Sequence, residues 1–243
     1  MFFQLGQLWQ EAFGDSEETI KKFFATGFSP DRYHYISDGD TPVSALYWFD
    51  CELDGKRLAY IYGVATRKSH RGQGLAQRLM AETHEILKTQ GYAGAILVPG
   101  EPELFGFYEK IGYRTVTSVK EFICQAAGQP VACREVDTEE YARLRRTYLP
   151  AGGVIQEGAA LEWLHTYAKF YAGEDFLFSA AFDRDRLLVQ EFLGNTALAG
   201  SILATFGKAE GRFRAPGTGR NFAMLLPFAA DCPVPAYFAL ALD

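Results

Sequence analysis

Apolar positions recur at helical spacing through residues 5–13, and Asp15-Ser16-Glu17-Glu18 then supplies a helix-start signal. A cap oxygen with carboxylates in the first turn satisfies amide N–H groups that have no partner inside the helix, so a second helix is expected through residue 24. The period then changes. Residues 32–37, 43–53 and 57–66 are rich in β-branched and aromatic side chains and read as strands, with turns at Asp38-Gly39-Asp40 and Asp54-Gly55. Helical spacing returns after residue 74, where Leu75, Leu79, Met80, Ile86 and Leu87 share an inward face. Arg78, Glu82, Glu85 and Lys88 fall on the outward one. Residues 93–98 read as a buried strand, 103–110 as a helix and 113–124 as one long strand.

Ala126-Ala127-Gly128-Gln129-Pro130 reads as a linker. Beyond it the pattern predicts a strand at 131–136, helices at 138–148 and 159–171, strands at 176–182 and 186–192, and a helix at 195–206. Extended segments close the chain at 222–227 and 237–242. Two helices, two strands and a helix repeat the layout of the first half. The expected organisation is therefore an α/β chain of two domains, 1–125 and 131–243, with mixed sheets.

The densest chemistry lies between the third strand and the helix that follows it. Arg71-Gly72-Gln73-Gly74-Leu75-Ala76 joins a polar turn to a helix start. Amide N–H groups at a helix N-terminus point outward, and the macrodipole places about half a positive charge there. Glycines let that backbone approach a ligand closely, so a phosphate or pyrophosphate suits the loop, with Arg71 as a fixed cation beside it. Ser69 and His70 stay open: their backbone can contribute to the cradle, and their side chains read at least as well as a solvated turn.

This arrangement resembles the GCN5-related N-acetyltransferase (GNAT) family, whose central signature is Arg/Gln-x-x-Gly-x-Gly/Ala. Arg71, Gly74 and Ala76 fill its three fixed positions. The family's second signature, an aromatic-rich helix ending in Gly-Phe/Tyr, is similar to Phe107-Tyr108-Glu109-Lys110-Ile111-Gly112-Tyr113-Arg114. The resemblance covers roughly the first half and implies the acyl-CoA N-acyltransferase fold there. It implies acetyl-CoA as cosubstrate, with its pyrophosphate on Arg71, Gly72, Gln73, Gly74, Leu75 and Ala76 and its pantetheine arm along Val64, Ala65 and Thr66. It also implies Tyr108 as the catalytic proton donor; the rival reading of Tyr108 is a core aromatic. The family opens with a strand before its first helix, whereas this sequence falls almost directly into helix, so that strand is absent or another segment takes its place at the sheet edge. The second half reads as a degenerate GNAT-like domain contributing to the acceptor site, or as an extension covering the first. Its strand-to-helix junction, Glu191-Phe192-Leu193-Gly194-Asn195-Thr196-Ala197, carries no such signature.

Composition narrows the partners. At 243 residues, 48% hydrophobic and 22% charged, the chain is of ordinary globular make-up. A net charge of −6 argues against general nucleic-acid binding, which needs a basic face, and suits a small or cationic amine acceptor. Cys51, Cys124, Cys133 and Cys232 are scattered, which fits reduced thiols rather than a disulfide framework or a zinc site. No metal is expected. The opening residues lack a basic leader pattern, and the uncharged run at 192–207 falls short of the ~20 residues a membrane span needs. A cytoplasmic chain without a membrane partner is expected; monomer and homodimer stay open.

Acetyl transfer to an amine sets two proton problems. A lysine-like amine is neutral in only about one molecule in 2,500 at pH 7, so freeing its lone pair costs roughly 4.6 kcal/mol. The departing thiolate gains from a positioned acid, typically ~10²–10⁴ in rate. For the base, Asp50 and Glu52 on one strand face and Glu191 in the second half are candidates, beside water relayed to backbone carbonyls. Tyr33, Tyr35, Trp48, Phe49, Tyr60 and Tyr62 serve core packing or an acceptor slot with cation–π character. His34, His84 and His165 show no ligand spacing. The alternative to an N-acetyltransferase is a non-catalytic CoA-binding or regulatory module.

Overall fold

Helices α1 (Phe2–Phe13) and α2 (Glu17–Thr26) open the computed structural model, which describes residues 2–242. Ser16 caps α2: its Oγ accepts from the Thr19 amide at 3.1 Å, with Glu17 and Glu18 in the first turn. Strands β1 (Tyr33–Asp38), β2 (Thr41–Leu53) and β3 (Lys56–Thr66) follow as an antiparallel meander. Asp54 and Gly55 both take positive φ (49° and 74°) in the β2–β3 turn, as a tight hairpin requires. A 3-10 turn (Lys68–His70) leads to helix α3 (Leu75–Thr89), strand β4 (Gly94–Leu97), helix α4 (Leu104–Lys110) and strand β5 (Arg114–Thr115).

The next elements are β6 (Ser118–Gln125), β7 (Arg134–Val136), α5 (Thr138–Tyr148), β8 (Ile155–Gln156), α6 (Ala159–His165) and β9 (Lys169–Ala172). Strands β10 (Phe176–Asp183) and β11 (Arg186–Gly194) form a hairpin. Helix α7 (Ala199–Thr205) and strands β12 (Glu210–Pro216), β13 (Arg220–Asn221) and β14 (Met224–Pro227) complete the order.

Two compact units result. The first holds residues 2–97, 101–114 and 225–233, and the second 98–100, 115–224 and 234–242. The first unit's sheet runs β1-β2-β3-β4-β14-β5, and the second unit's runs β13-β6-β12-β11-β10-β9-β7. Both are mixed: β3 pairs in parallel with β4, and β11 with β12, each across a helix. The chain thus leaves the first unit after Arg114 and returns through β14. There the Phe228 amide donates to Ala93 O at 2.8 Å and Lys56 pairs with Asp231 at 2.6 Å. These divisions do not coincide with a boundary at residues 126–130, because β6 pairs with β12 rather than with the first sheet.

The first unit's core is aromatic. Trp9, Phe23, Tyr47, Phe49, Tyr60 and Tyr62 meet ring to ring, with Trp9 and Phe23 centroids 4.4 Å apart. The second unit's core packs Ile202 and Leu203 of α7 with Phe178, Phe192 and Phe213 of the sheet. Beside it Arg145 and Glu191 form a fully buried bidentate pair at 2.7 and 2.9 Å, and the Tyr141 hydroxyl donates to Glu191 at 3.1 Å.

Three expectations change. The long strand at 113–124 is two strands in different sheets. The Val116 and Thr117 amides turn to Ala223 O, and Thr117 Oγ1 accepts from the Ala223 amide, which breaks the run. The helix expected over 159–171 stops at His165, because Phe170 and Tyr171 pair with Ser179 and Phe178 in β10. The tail at 237–242 forms no strand among the described residues beyond an isolated bridge between Tyr237 and Gly153.

Candidate functional site

Strand β3 is built irregularly where it approaches the loop. Ala45 faces Ala65 and Tyr47 faces Tyr62, so Leu46 on β2 stands against both Gly63 and Val64 on β3. That extra residue is a β-bulge, which takes backbone groups out of the ladder. Gly63 sits there at φ 61°, and a Cβ on it would lie 3.1 Å from the Trp9 ring and 3.2 Å from the Tyr47 ring. Both its conformation and its crowding require glycine. On the other side, the parallel ladder with β4 covers only Leu58, Ala59 and Tyr60. Residues 61–66 therefore run past the end of that ladder.

The loop beyond Thr66 is held from two directions. Glu11 on α1 accepts from the Lys68 amide at 2.6 Å and from Arg67 Nη1 at 3.0 Å, while Arg67 Nε donates to Pro42 O at 3.0 Å. The Lys68 amide, against the opposing effect of burial and with help from Arg67, holds the Glu11 carboxyl below its usual range. Arg71 Nε donates to Thr66 O at 3.2 Å, folding the guanidinium back toward the strand end. Gly72 and Gly74 take φ 77° and 75°, and nothing lies within 4 Å of a Cβ built on either. Their backbone faces open space, and Gly74 is the N-cap of α3 without any side chain in the way.

In that space lies a concave pocket of about 270 Å³, lined by Thr66, His70, Arg71, Gly72, Gly74, Leu75, Ala76, Gln77 and Phe107. Six residues of the sequence-derived set are thus together. Val64, Ala65, Gln73 and Tyr108 lie outside the lining. His70, which the sequence left open between the cradle and a solvated turn, lines the pocket; its Nδ1 hydrogen-bonds Ser69 at 2.8 Å. Phe107, known from the sequence only as part of the aromatic signature, also lines it. Gly63 was missed as well, and its signal was there: a glycine inside a strand pattern marks a bulge or a close approach.

Tyr108 is 7% exposed, with its ring edge-on to Phe107 and Tyr113 at 5.1 and 5.8 Å. Burial pushes its hydroxyl up to about 12, so it keeps its proton across the neutral range. Its hydroxyl has no hydrogen-bond partner among the described residues. Tyr113 is different: its hydroxyl meets His84 Nε2 at 2.9 Å, and burial with the nearby Lys88 charge lowers His84 to about 4.

The carboxylates considered as bases are committed elsewhere. Asp50 stands opposite Ala59, at the end of β2–β3 away from the loop. Burial would raise its carboxyl, but Tyr92, Arg57 and Arg32 outweigh that and hold it low. Glu52 is exposed opposite Arg57, farther still from the bulge. Glu191 is locked by Arg145 and Tyr141 within the second unit. Among the described residues, no three His, Cys, Asp or Glu side chains gather as metal ligands, and no helix is long and apolar enough to cross a membrane.

Comparison with known proteins accords with this geometry. The model of the acetyltransferase (GNAT) domain matches residues 2–116. A GCN5-related N-acetyltransferase from Kribbella flavida superposes with a TM-score of 0.70 at 21% identity, over 92% of this chain and 67% of its own. One from Anabaena variabilis gives 0.69 at 16% identity, over 92% and 69%. Eis1 from Mycobacterium abscessus gives 0.63 at 14% identity, over 91% and 69%. No curated protein sequence matches the chain. At such identities the structures establish a shared fold, and residues 2–116, just under half of the chain, are what matches the acetyltransferase (GNAT) domain.

Proposed function

We propose that the chain transfers an acetyl group from acetyl-CoA to a primary amine of a small or cationic acceptor. The observation that carries this reading is the loop of residues 71–76. Two glycines with positive φ, an arginine and the start of α3 enclose a pocket at the end of a bulged strand. Backbone N–H groups at that helix start, with Arg71, suit a pyrophosphate. The stretch of β3 at Val64, Ala65 and Thr66 borders β2 and runs past the end of the β4 ladder. It suits the amide-bearing pantetheine arm, which can hydrogen-bond to strand backbone as another strand would.

The amine nitrogen attacks the thioester carbon, the C–N bond forms, and the C–S bond breaks to release the thiolate. Tyr108 serves as hydrogen-bond donor to the sulfur as charge develops there. With its hydroxyl near 12 and a thiol near 8.5, complete transfer from Tyr108 would be uphill by about 5 kcal/mol. Its role is therefore to stabilise the leaving thiolate, with the proton supplied finally by solvent. No carboxylate of the candidate set is placed as a base, which favours loss of the amine's proton to water.

The second unit fits a degenerate copy of the same plan. Strands β9, β10 and β11 are antiparallel, α7 follows, and β12 returns parallel to β11, as β4 does to β3. Its β11 also bulges, with Gln190 as the extra residue between Val189 and Glu191. What it lacks is the glycine pair: Leu198 precedes α7 in ordinary helical conformation.

A panel of primary amines mixed with the full chain and acetyl-CoA, read as release of free thiol, tests the proposal. Amine-dependent release with formation of the acetylated amine supports it. Cofactor binding without release above solvent hydrolysis for any amine would instead support a non-catalytic CoA-binding module.

A further inference from the structure

The 3-10 turn that begins the loop has an N-terminal amide without a cap from its own sequence. Arg67, its N-cap residue, makes no side-chain cap hydrogen bond. The missing acceptor arrives from a helix 57 residues away, where Glu11 Oε1 takes the Lys68 N–H at 2.6 Å. Its other oxygen takes Arg67 Nη1 at 3.0 Å, and Arg67 is fastened to β2 through its own amide on Val43 O at 2.9 Å and its Nε on Pro42 O. Helix α1 is itself immobilised, with Leu5, Leu8 and Trp9 buried and Trp9 packed against the bulge at Gly63. One carboxylate therefore ties the first helix, the start of β2 and the turn after β3.

We propose that Glu11 is a positioning residue for the phosphate-binding loop. It fixes Lys68, from which the turn continues through His70 N to Arg67 O and Arg71 N to Lys68 O into the glycine pair. It also neutralises Arg67, so that Arg71 is left as the cation beside the pocket. Both partners are largely withdrawn from water, at 29% and 18% side-chain exposure, where a charge-assisted bond holds geometry better than a surface pair does. The proposal rests on the reading of residues 71–76 as the CoA site. Glu11 touches no reacting atom in it, so its removal acts on cofactor affinity and not on the chemical step.

The test compares the parent chain with Glu11→Ala, Glu11→Asp and Glu11→Gln, by calorimetric titration with CoA and by steady-state kinetics. Glu11→Ala is expected to weaken CoA about tenfold, with the KM for acetyl-CoA rising in step. The kcat at saturating cofactor and the KM for the amine should stay within about twofold of the parent. Glu11→Gln keeps an acceptor for the Lys68 amide and should recover most of the affinity. Glu11→Asp is one methylene shorter, cannot hold both partners, and should lose about fivefold; it decides the matter if Glu11→Ala does not fold. Parental CoA affinity in Glu11→Ala or Glu11→Asp overturns the proposal, and so does a fall in kcat without a change in cofactor affinity. A parent chain that binds no CoA overturns instead the reading of the loop on which the proposal rests.

Discussion

Replacing Gly74 by aspartate places strain and charge where the structure is least able to absorb them. Gly74 lies at φ 75°, a conformation that costs a residue with a Cβ roughly 1 kcal/mol, somewhat less for Asn or Asp. Its Cβ position meets nothing within 4 Å, so the protein itself tolerates the new side chain. That side chain projects into the pocket instead. A carboxylate about 5 Å from a single phosphate charge, at an effective dielectric of about 20, opposes it by roughly 3 kcal/mol. The strain is present with and without CoA and lowers stability rather than affinity. The charge, with about tenfold for the bulk of the side chain in the pocket, weakens CoA by about three orders of magnitude at 1.36 kcal/mol per decade. Gly74→Asn carries similar strain and bulk without the charge, so it should lose only about tenfold. Titrations of CoA into the parent and both variants should therefore show a gap of about two orders of magnitude between Asn and Asp. That gap should narrow in 1 M salt, where the Debye length falls to about 3 Å. Equal affinities for Asn and Asp, or parental affinity in a folded Gly74→Asp, would show that no phosphate lies at this helix start.

Tyr108→Phe removes only a hydroxyl without a protein partner, so CoA affinity and Tm should hold while kcat falls by ~10–10³. Because burial keeps that hydroxyl protonated to about 12, the deficit should be constant from pH 7 to 9; a deficit that disappears across this range would point to another donor. Glu191→Ala strands the buried Arg145 charge and should destabilise the second unit by about 3–5 kcal/mol in denaturant unfolding. A loss below 1 kcal/mol would contradict that pairing. His84, lowered from 6.5 to about 4 by burial, binds protons more readily when unfolded. Stability should therefore be intact above pH 6.5 and fall as pH drops toward 4, by about 2 kcal/mol at pH 5. His84→Gln should flatten the Tm-against-pH profile in that window, and an unchanged profile would assign the acid loss to other groups.

Much of the first unit was legible because its signals are local. Ser16 caps where its hydroxyl predicted, Asp54-Gly55 makes the tight turn, and the amphipathic face of α3 buries Leu79, Met80 and Leu87. The loop at Arg71, Gly72 and Gly74 was legible for the same reason, since the backbone freedom of glycine is written in the residue itself. What escaped was non-local. The sheet slot filled by β14 is decided by pairing across more than a hundred residues, which no periodicity near 113–124 could announce. Strand β12 was not anticipated at all, although Phe213 is fully buried in it, because charged residues interrupt its apolar pattern. Asp50 looked free as a carboxylate in a strand, and only the fold brings Arg32, Arg57 and Tyr92 around it. Glu11 shows the converse, an ordinary helix-surface residue by pattern that becomes a cap for a distant turn.

The most direct test of the account is a calorimetric titration of CoA into the intact chain. The proposed pyrophosphate-binding loop is the one at residues 71–76, and no such glycine pair stands before α7. The account predicts saturable binding at one site per chain. No binding, or two equivalent sites per chain, would contradict it.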